Sequence, residues 1–135
     1  MVCPETTRWF GIRETKKIMT TQQVADRLVA LCRQGEISKA MEELYADEIV
    51  SIEPDRAPTK SAHGKKAVFE KGKQFASMIE ERHGGSFSDA IVSGRHFSAA
   101  MMLDATFKGM GRMKLEEICV YEVKDGKIVR EQFYF

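Results

Sequence analysis

From Gly111 to Phe135 the chain reads GRMKLEEICVYEVKDGKIVREQFYF, and no other stretch constrains the fold as much. Two β-rich runs flank Asp125-Gly126, a dipeptide that supplies the backbone a tight hairpin turn demands. Side chains alternate across a strand, so Met113, Leu115, Glu117, Cys119, Tyr121 and Val123 share one face of the first run. Arg112, Lys114, Glu116, Ile118, Val120 and Glu122 share the other. In the second run the two sets are Val129, Glu131, Phe133, Phe135 and Ile128, Arg130, Gln132, Tyr134. The odd-numbered sets are the more apolar and are expected to face the core.

A two-residue Asp125-Gly126 turn would pair odd with even positions and mix the faces. A three-residue turn, Lys124-Asp125-Gly126 with Gly126 as a left-handed bulge, keeps them apart and is the favoured reading. Glu117 and Glu131 then point inward among Leu115, Cys119, Tyr121 and Phe133. A carboxylate is costly in such surroundings unless it is paired. Burial raises its pKa toward the range useful for general acid or base work. The alternatives are a rim Arg or His that neutralises it, or a different register. Ile118 and Val120 make the opposite face apolar as well, so that face is expected to be covered, for instance by a second copy packed sheet on sheet.

The remaining elements follow from period and punctuation. Thr20 with Gln23 fits a capping box, and Val24, Ala25, Leu28, Val29, Leu31 and Cys32 recur at helical spacing up to Gly35. A shorter helix is expected from Ile37 to Tyr45, burying Ile37, Met41, Leu44 and Tyr45. A strand covers Ala46 to Glu53 and stops at Pro54. A third helix is expected from Lys65 to about Arg82, ended by Gly84-Gly85, with Gly72 inside it marking a close approach by a backbone or a ligand. Strands are expected over Ser86–Ser93, His96–Lys108, Arg112–Val123 and Lys127–Phe135. Helices first and antiparallel strands last give an α+β class, with helices covering one face of a curved sheet.

Bulk properties exclude more than they assign. The 135 residues suit one domain, expected over 19–135. Residues 1–18 read as an extension, loosely attached or docked through Trp9, Phe10 and Ile12. Formal net charge is +1, so nothing draws the chain to nucleic acid or an anionic membrane surface. No apolar run approaches the ~20 residues of a spanning helix. Cys3, Cys32 and Cys119 form no CxxC pair, and no histidines share an i, i+4 spacing. Neither a metal site nor a cofactor is expected, and a reducing, cytoplasmic compartment is the default. The basic run Lys60, Lys65, Lys66, Lys71 and Lys73 reads as a solvated helix face.

Two helices, a strand ending in Glu53-Pro54, the segment His63-Gly64-Lys65-Lys66-Ala67-Val68 opening a helix, and a meander closing on Asp125-Gly126-Lys127-Ile128-Val129 together resemble the nuclear transport factor two (NTF2-like) superfamily. The resemblance is nearest to its SnoaL-like branch. It covers about Met19 to Phe135 and implies a cone: a curved antiparallel sheet wrapped around three N-terminal helices, enclosing an apolar cavity, usually dimeric through the sheet. Catalytic relatives carry acids, histidines or arginines on the inner strand faces. Carried onto this chain, the pocket positions are Ser51 and Glu53 on the first strand, Ala100, Met102 and Asp104 on the middle strand, and Glu131 and Phe133 on the last.

Glu131, Asp104 and Glu117 are therefore the catalytic candidates. Ser51, Glu53, His63, Met102, Cys119, Tyr121 and Phe133 are the candidate ligand contacts. Phe133 stands where cyclases and epoxide hydrolases of this kind place an acid. Two functions thus remain in view. One is cofactor-free isomerase, cyclase or hydrolase chemistry on a small, largely apolar or amphipathic molecule. The other is ligand binding, or protein interaction, without catalysis.

Overall fold

The computed structural model describes residues 17–135. The expectations for residues 1–16, including docking through Trp9, Phe10 and Ile12, lie outside the described residues. Helix α1 spans Thr21–Arg33 and begins with the expected capping box, Thr20 Oγ1 accepting from Gln23 N at 3.1 Å and Gln23 Oε1 accepting from Thr20 N at 2.9 Å. Its Val24, Ala25, Leu28, Val29 and Leu31 are buried, each larger side chain contributing about 2 kcal/mol. Helix α2 spans Ile37–Leu44 and buries Ala40 and Leu44, whereas Ile37 is exposed, contrary to expectation.

Strand β1 (Tyr45–Ile52) follows directly, then the two-residue β2 (Ala62–His63) and helix α3 (Lys65–Ser77). The rest is β3 (Ile79–Phe87), β4 (Ile91–Ser93), β5 (His96–Phe107), β6 (Gly111–Lys124) and β7 (Lys127–Tyr134). The sheet order is β2-β1-β7-β6-β5-β3, with β4 also on β5. The three helices lie against the inner face of this curved, open sheet, giving the expected α+β cone. The sheet is mixed rather than purely antiparallel, because β1 returns to lie parallel to β7.

Helix α3 is shorter than its periodicity suggests. Met78 caps it, and its carbonyl accepts from Lys108 N at 2.9 Å. Ile79 onward then pairs with β5. Met78, Ile79 and Phe75 still reach a common apolar cluster with Leu103, Ala105 and Phe107. Long-range pairing therefore overrides local helical spacing, and Gly84-Gly85 sit inside β3 instead of ending a helix. Gly72 is approached by a side chain and not by the backbone or ligand expected: a Cβ there would stand 3.3 Å from Met41 Cε, so α2 and α3 meet at this point.

The hairpin reaches the expected facing by a different route. Asp125 (φ 51°) and Gly126 (φ 76°) form a two-residue turn, and Lys124 pairs with Lys127 and Val123 with Ile128. A bulge then shifts the register, so Glu122 opposes Arg130, Tyr121 opposes Glu131 and Cys119 opposes Phe133. Val129 is the extra residue. Ile128 therefore faces the core, where it is fully buried, and does not join Arg130 and Tyr134 outside. Turn and bulge together keep Val123, Ile128, Tyr121 and Glu131 all inward.

Candidate functional site

The inner face of the sheet and the three helices enclose a cavity of about 600 Å³. Its wall is mostly apolar, with Leu28, Met41, Phe75, Met101 and Phe133 among the lining side chains. Polar groups gather at one end. Ser51 and Glu53 are two residues apart on β1 and its extension, so they share the inner face. The parallel pairing sets Ser51 beside Glu131, and the antiparallel pairing sets Tyr121 on its other side.

Glu131 is 2% exposed. Ser51 Oγ donates to its Oε2 at 2.6 Å, and the Tyr45 hydroxyl contacts its Oε1. Both carboxyl oxygens are therefore engaged. Burial pushes the Glu131 pKa up against the opposing effect of these hydrogen bonds and of Lys71. Burial, with Glu131 alongside, likewise holds Tyr45 well above the ordinary phenol range.

Lys71 enters this cluster from α3. Its Nζ donates to Ser51 Oγ and, at 2.7 Å, to Glu53 Oε2. The ammonium also lies 5.2 Å from the centre of the Phe133 ring, a cation–π geometry. The Lys71 and Glu53 side chains are only 10% and 11% exposed. Lys71 thus departs from the solvated helix face expected of the basic run, whereas Lys60, Lys66 and Lys73 are exposed as expected. Val68, Lys71 and Phe75 follow one another at three and four residues, so Lys71 falls within the apolar stripe of α3. That spacing was the signal for Lys71. Tyr45 was expected to be buried, but nothing in the sequence ties it to Glu131.

Glu117 differs from both. It is half-buried on β6 opposite Met101 and lines the cavity. Among the described residues its one hydrogen-bond contact is a long one, 4.0 Å from Cys119 Sγ. Burial first, then the charges of Glu53 and Glu131, push its pKa up to about 7, with Lys71 opposing. Cys119 is 1% exposed, and burial with Glu117 nearby raises its thiol above the usual range.

The sequence candidates thus divide. Glu53, Glu117, Cys119, Tyr121, Glu131 and Phe133 line one cavity, and Ser51 sits behind it, buried against Glu131 and Lys71. Asp104 and Met102 do not join them. The β5–β6 register sets Ala99, Met101 and Leu103 inward, opposite Cys119, Glu117 and Leu115. Ala100, Met102 and Asp104 consequently lie on the outer face. There Asp104 meets the Arg112 guanidinium twice at 3.0 Å, and that hydrogen-bonded cation holds its carboxyl below the usual range. His63 is exposed and lines a separate surface groove with Lys66 and Gln74. Among the described residues, no group of three or more His, Cys, Asp or Glu is arranged to hold a metal ion. None of the described helices is long and apolar enough to cross a membrane.

A family model described as the SnoaL-like domain matches residues 19–135. A Mesorhizobium loti protein, named as a candidate SnoaL-like polyketide cyclase, is 36% identical with a TM-score of 0.82, covering 87% of this chain and 100% of that one. Two more distant structures share the fold. An NTF2-like protein of unknown function from Burkholderia pseudomallei is 17% identical, with a TM-score of 0.70 over 87% of this chain and 92% of its own. A candidate isomerase from Bacillus subtilis is 21% identical, with a TM-score of 0.66 over 86% and 88%. No curated protein matches the chain.

Proposed function

The chain belongs to the SnoaL-like domain family, and from that premise we propose that it binds a small, largely apolar molecule in the cone and moves a proton on it with Glu117. One observation carries the reading: Glu117 faces an apolar cavity with its oxygens almost unclaimed and its pKa raised to about 7. A carboxylate so tuned is poised both to take and to return a proton near neutral pH. Glu131, the other inward acid of the hairpin, is a structural anchor instead, because Tyr45 and Ser51 occupy both its oxygens. The chemistry is of isomerase, cyclase or hydrolase type and needs no cofactor.

Incubating wild type and Glu117→Gln with a small-molecule extract, followed by mass spectrometry, tests this. Consumption of a compound by wild type alone supports it. Equal consumption by both removes Glu117 from the mechanism. A compound recovered bound and unchanged from wild type supports the second reading, ligand binding without catalysis. Phe133, at a position where related catalysts carry an acid, favours that second reading.

The outer face supports a partner. Ile118 and Tyr134 are 47% and 51% exposed and sit directly opposite one another on β6 and β7, flanking a shallow groove that includes Met102. A second copy packed sheet on sheet would cover them. Sedimentation should then find a dimer that Ile118→Glu converts to monomer, and a monomeric wild type would contradict it.

A further inference from the structure

Lys71 is the charged group of the cavity that the proposed proton transfer leaves without a task. Its ammonium carries three N–H bonds. Ser51 and Glu53 accept two of them, and the side chain lines the cavity over the Phe133 ring. Two other cations border the cavity. Arg56 donates to the Phe135 carbonyl. Lys114 lies opposite Asp104 on the outer-facing positions of β6 and is exposed. The Tyr45 hydroxyl is held by Glu131.

A proton transfer to Glu117 creates a charge that needs a partner. When the Glu117 carboxylate takes a proton from a C–H beside a carbonyl, the C–H electron pair becomes a C=C bond and the C=O π pair moves onto oxygen. Glu117 becomes neutral as the oxygen becomes negative, so the net charge of the cavity does not change. It only moves, and in a cavity with a mostly apolar wall a fixed cation decides where it can move to. Glu117 already senses the Lys71 charge across this space.

We propose that Lys71 donates its third N–H to the substrate oxygen and stabilises the enolate that Glu117 generates. The cavity then takes an apolar carbonyl compound with an acidic C–H, its oxygen toward Lys71 and Phe133. Where a C=C is conjugated with the enolate, returning the Glu117 proton to its far carbon re-forms the carbonyl and completes an isomerisation; attack of the enolate carbon on a second carbonyl forms a C–C bond and completes a ring closure, the new alkoxide taking the proton from Glu117. This rests on the assignment of Glu117 as the proton acceptor.

2-Naphthol tests it without knowledge of the substrate. Its ionised oxygen copies an enolate, and absorbance distinguishes naphthol from naphtholate. Free in solution at pH 7 the probe is neutral. Wild type should bind it with the ionised fraction raised at least about tenfold, a shift of one pKa unit, the proton passing to Glu117. Lys71→Met alone leaves Glu53 buried without its cation and endangers folding. The decisive variant is therefore Lys71→Met/Glu53→Gln, which removes both charges. It should bind the probe in its neutral form. Ionisation undiminished in that variant, or a probe bound neutral by wild type, overturns the role of Lys71. Ionisation lost in Glu117→Gln as well supports both groups. Ionisation kept in Glu117→Gln but lost in the double variant supports Lys71 and removes Glu117. No binding to wild type overturns both.

Discussion

Glu131 and Glu117 lie on adjacent strands of one hairpin, face the same way, and belong to different kinds of place. Around Glu131 the cone is closed: the carboxyl is almost wholly buried and both oxygens are met by hydroxyls. Around Glu117 the cone is open, and the carboxyl meets a cavity and a distant thiol. Burial raises the pKa in both places, but only at Glu117 is there room for a ligand to exchange the proton. Lys71 joins the two regions, fixed to the closed end through Ser51 and acting on the open end by its charge. An inward carboxylate is therefore a candidate for chemistry only when its partners leave an oxygen free.

The largest effects should come from the closed end. Glu131→Ala leaves the Ser51 and Tyr45 hydroxyls buried without their acceptor, each costing about 1–3 kcal/mol. A loss of about 3 kcal/mol or more in urea unfolding is expected, and an unchanged midpoint would mean that the cluster is not structural. Lys71→Met should cost about 3 kcal/mol by stranding Glu53. Adding Glu53→Gln should recover much of that, since a buried polar pair without charge is cheaper than a lone carboxylate. A double variant no better than the single one would break the pairing argument.

The open end should behave in the opposite sense. Glu117 has its folded pKa raised to about 7, above the ordinary carboxylate value near 4.3. The folded state therefore holds a proton that the unfolded state has released. Stability should fall as pH rises from about 4 through 7 and then level off. Discounted for its partial exposure, the penalty at pH 8 is about 1–2 kcal/mol. Glu117→Gln should remove this part of the pH dependence and be at least as stable as wild type at pH 8. A variant less stable than wild type at pH 8 would make Glu117 a structural partner like Glu131. Asp104→Asn marks the lower limit. Its exposed pair with Arg112 lies on the outer face, so stability, probe binding and any turnover should not change measurably.

The hairpin was legible in the sequence because its polarity alternates strictly and Asp125-Gly126 marks the reversal. Its detail was not. A tight turn and a bulge at Val129 give the same facing for Tyr121 and Glu131 as a single longer turn, and alternation alone cannot separate the two. Ile128 is the residue that tells them apart. Asp104 was misplaced because β5 is apolar on both faces, with Ala100 and Met102 no more polar than Ala99 and Met101. Its phase was fixed by pairing with β6, information that lies outside the strand. The boundary of α3 was missed for a similar reason: Phe75, Met78 and Ile79 suit a helix stripe and a strand cluster equally well. Lys71 was hidden by its neighbours, since a lysine among lysines reads as solvated unless its place in the apolar stripe is weighed.

The titration of Glu117 tests the central claim most directly. Carbon-13 NMR of the side-chain carboxyls across pH 4–9, in wild type and Glu117→Gln, isolates this one group. A resonance that titrates near 7 in wild type and vanishes in the variant is the predicted result. A Glu117 carboxyl that titrates in the ordinary range near 4 would contradict the account, because it would make the cavity's free carboxylate a solvated charge with no proton to give at neutral pH.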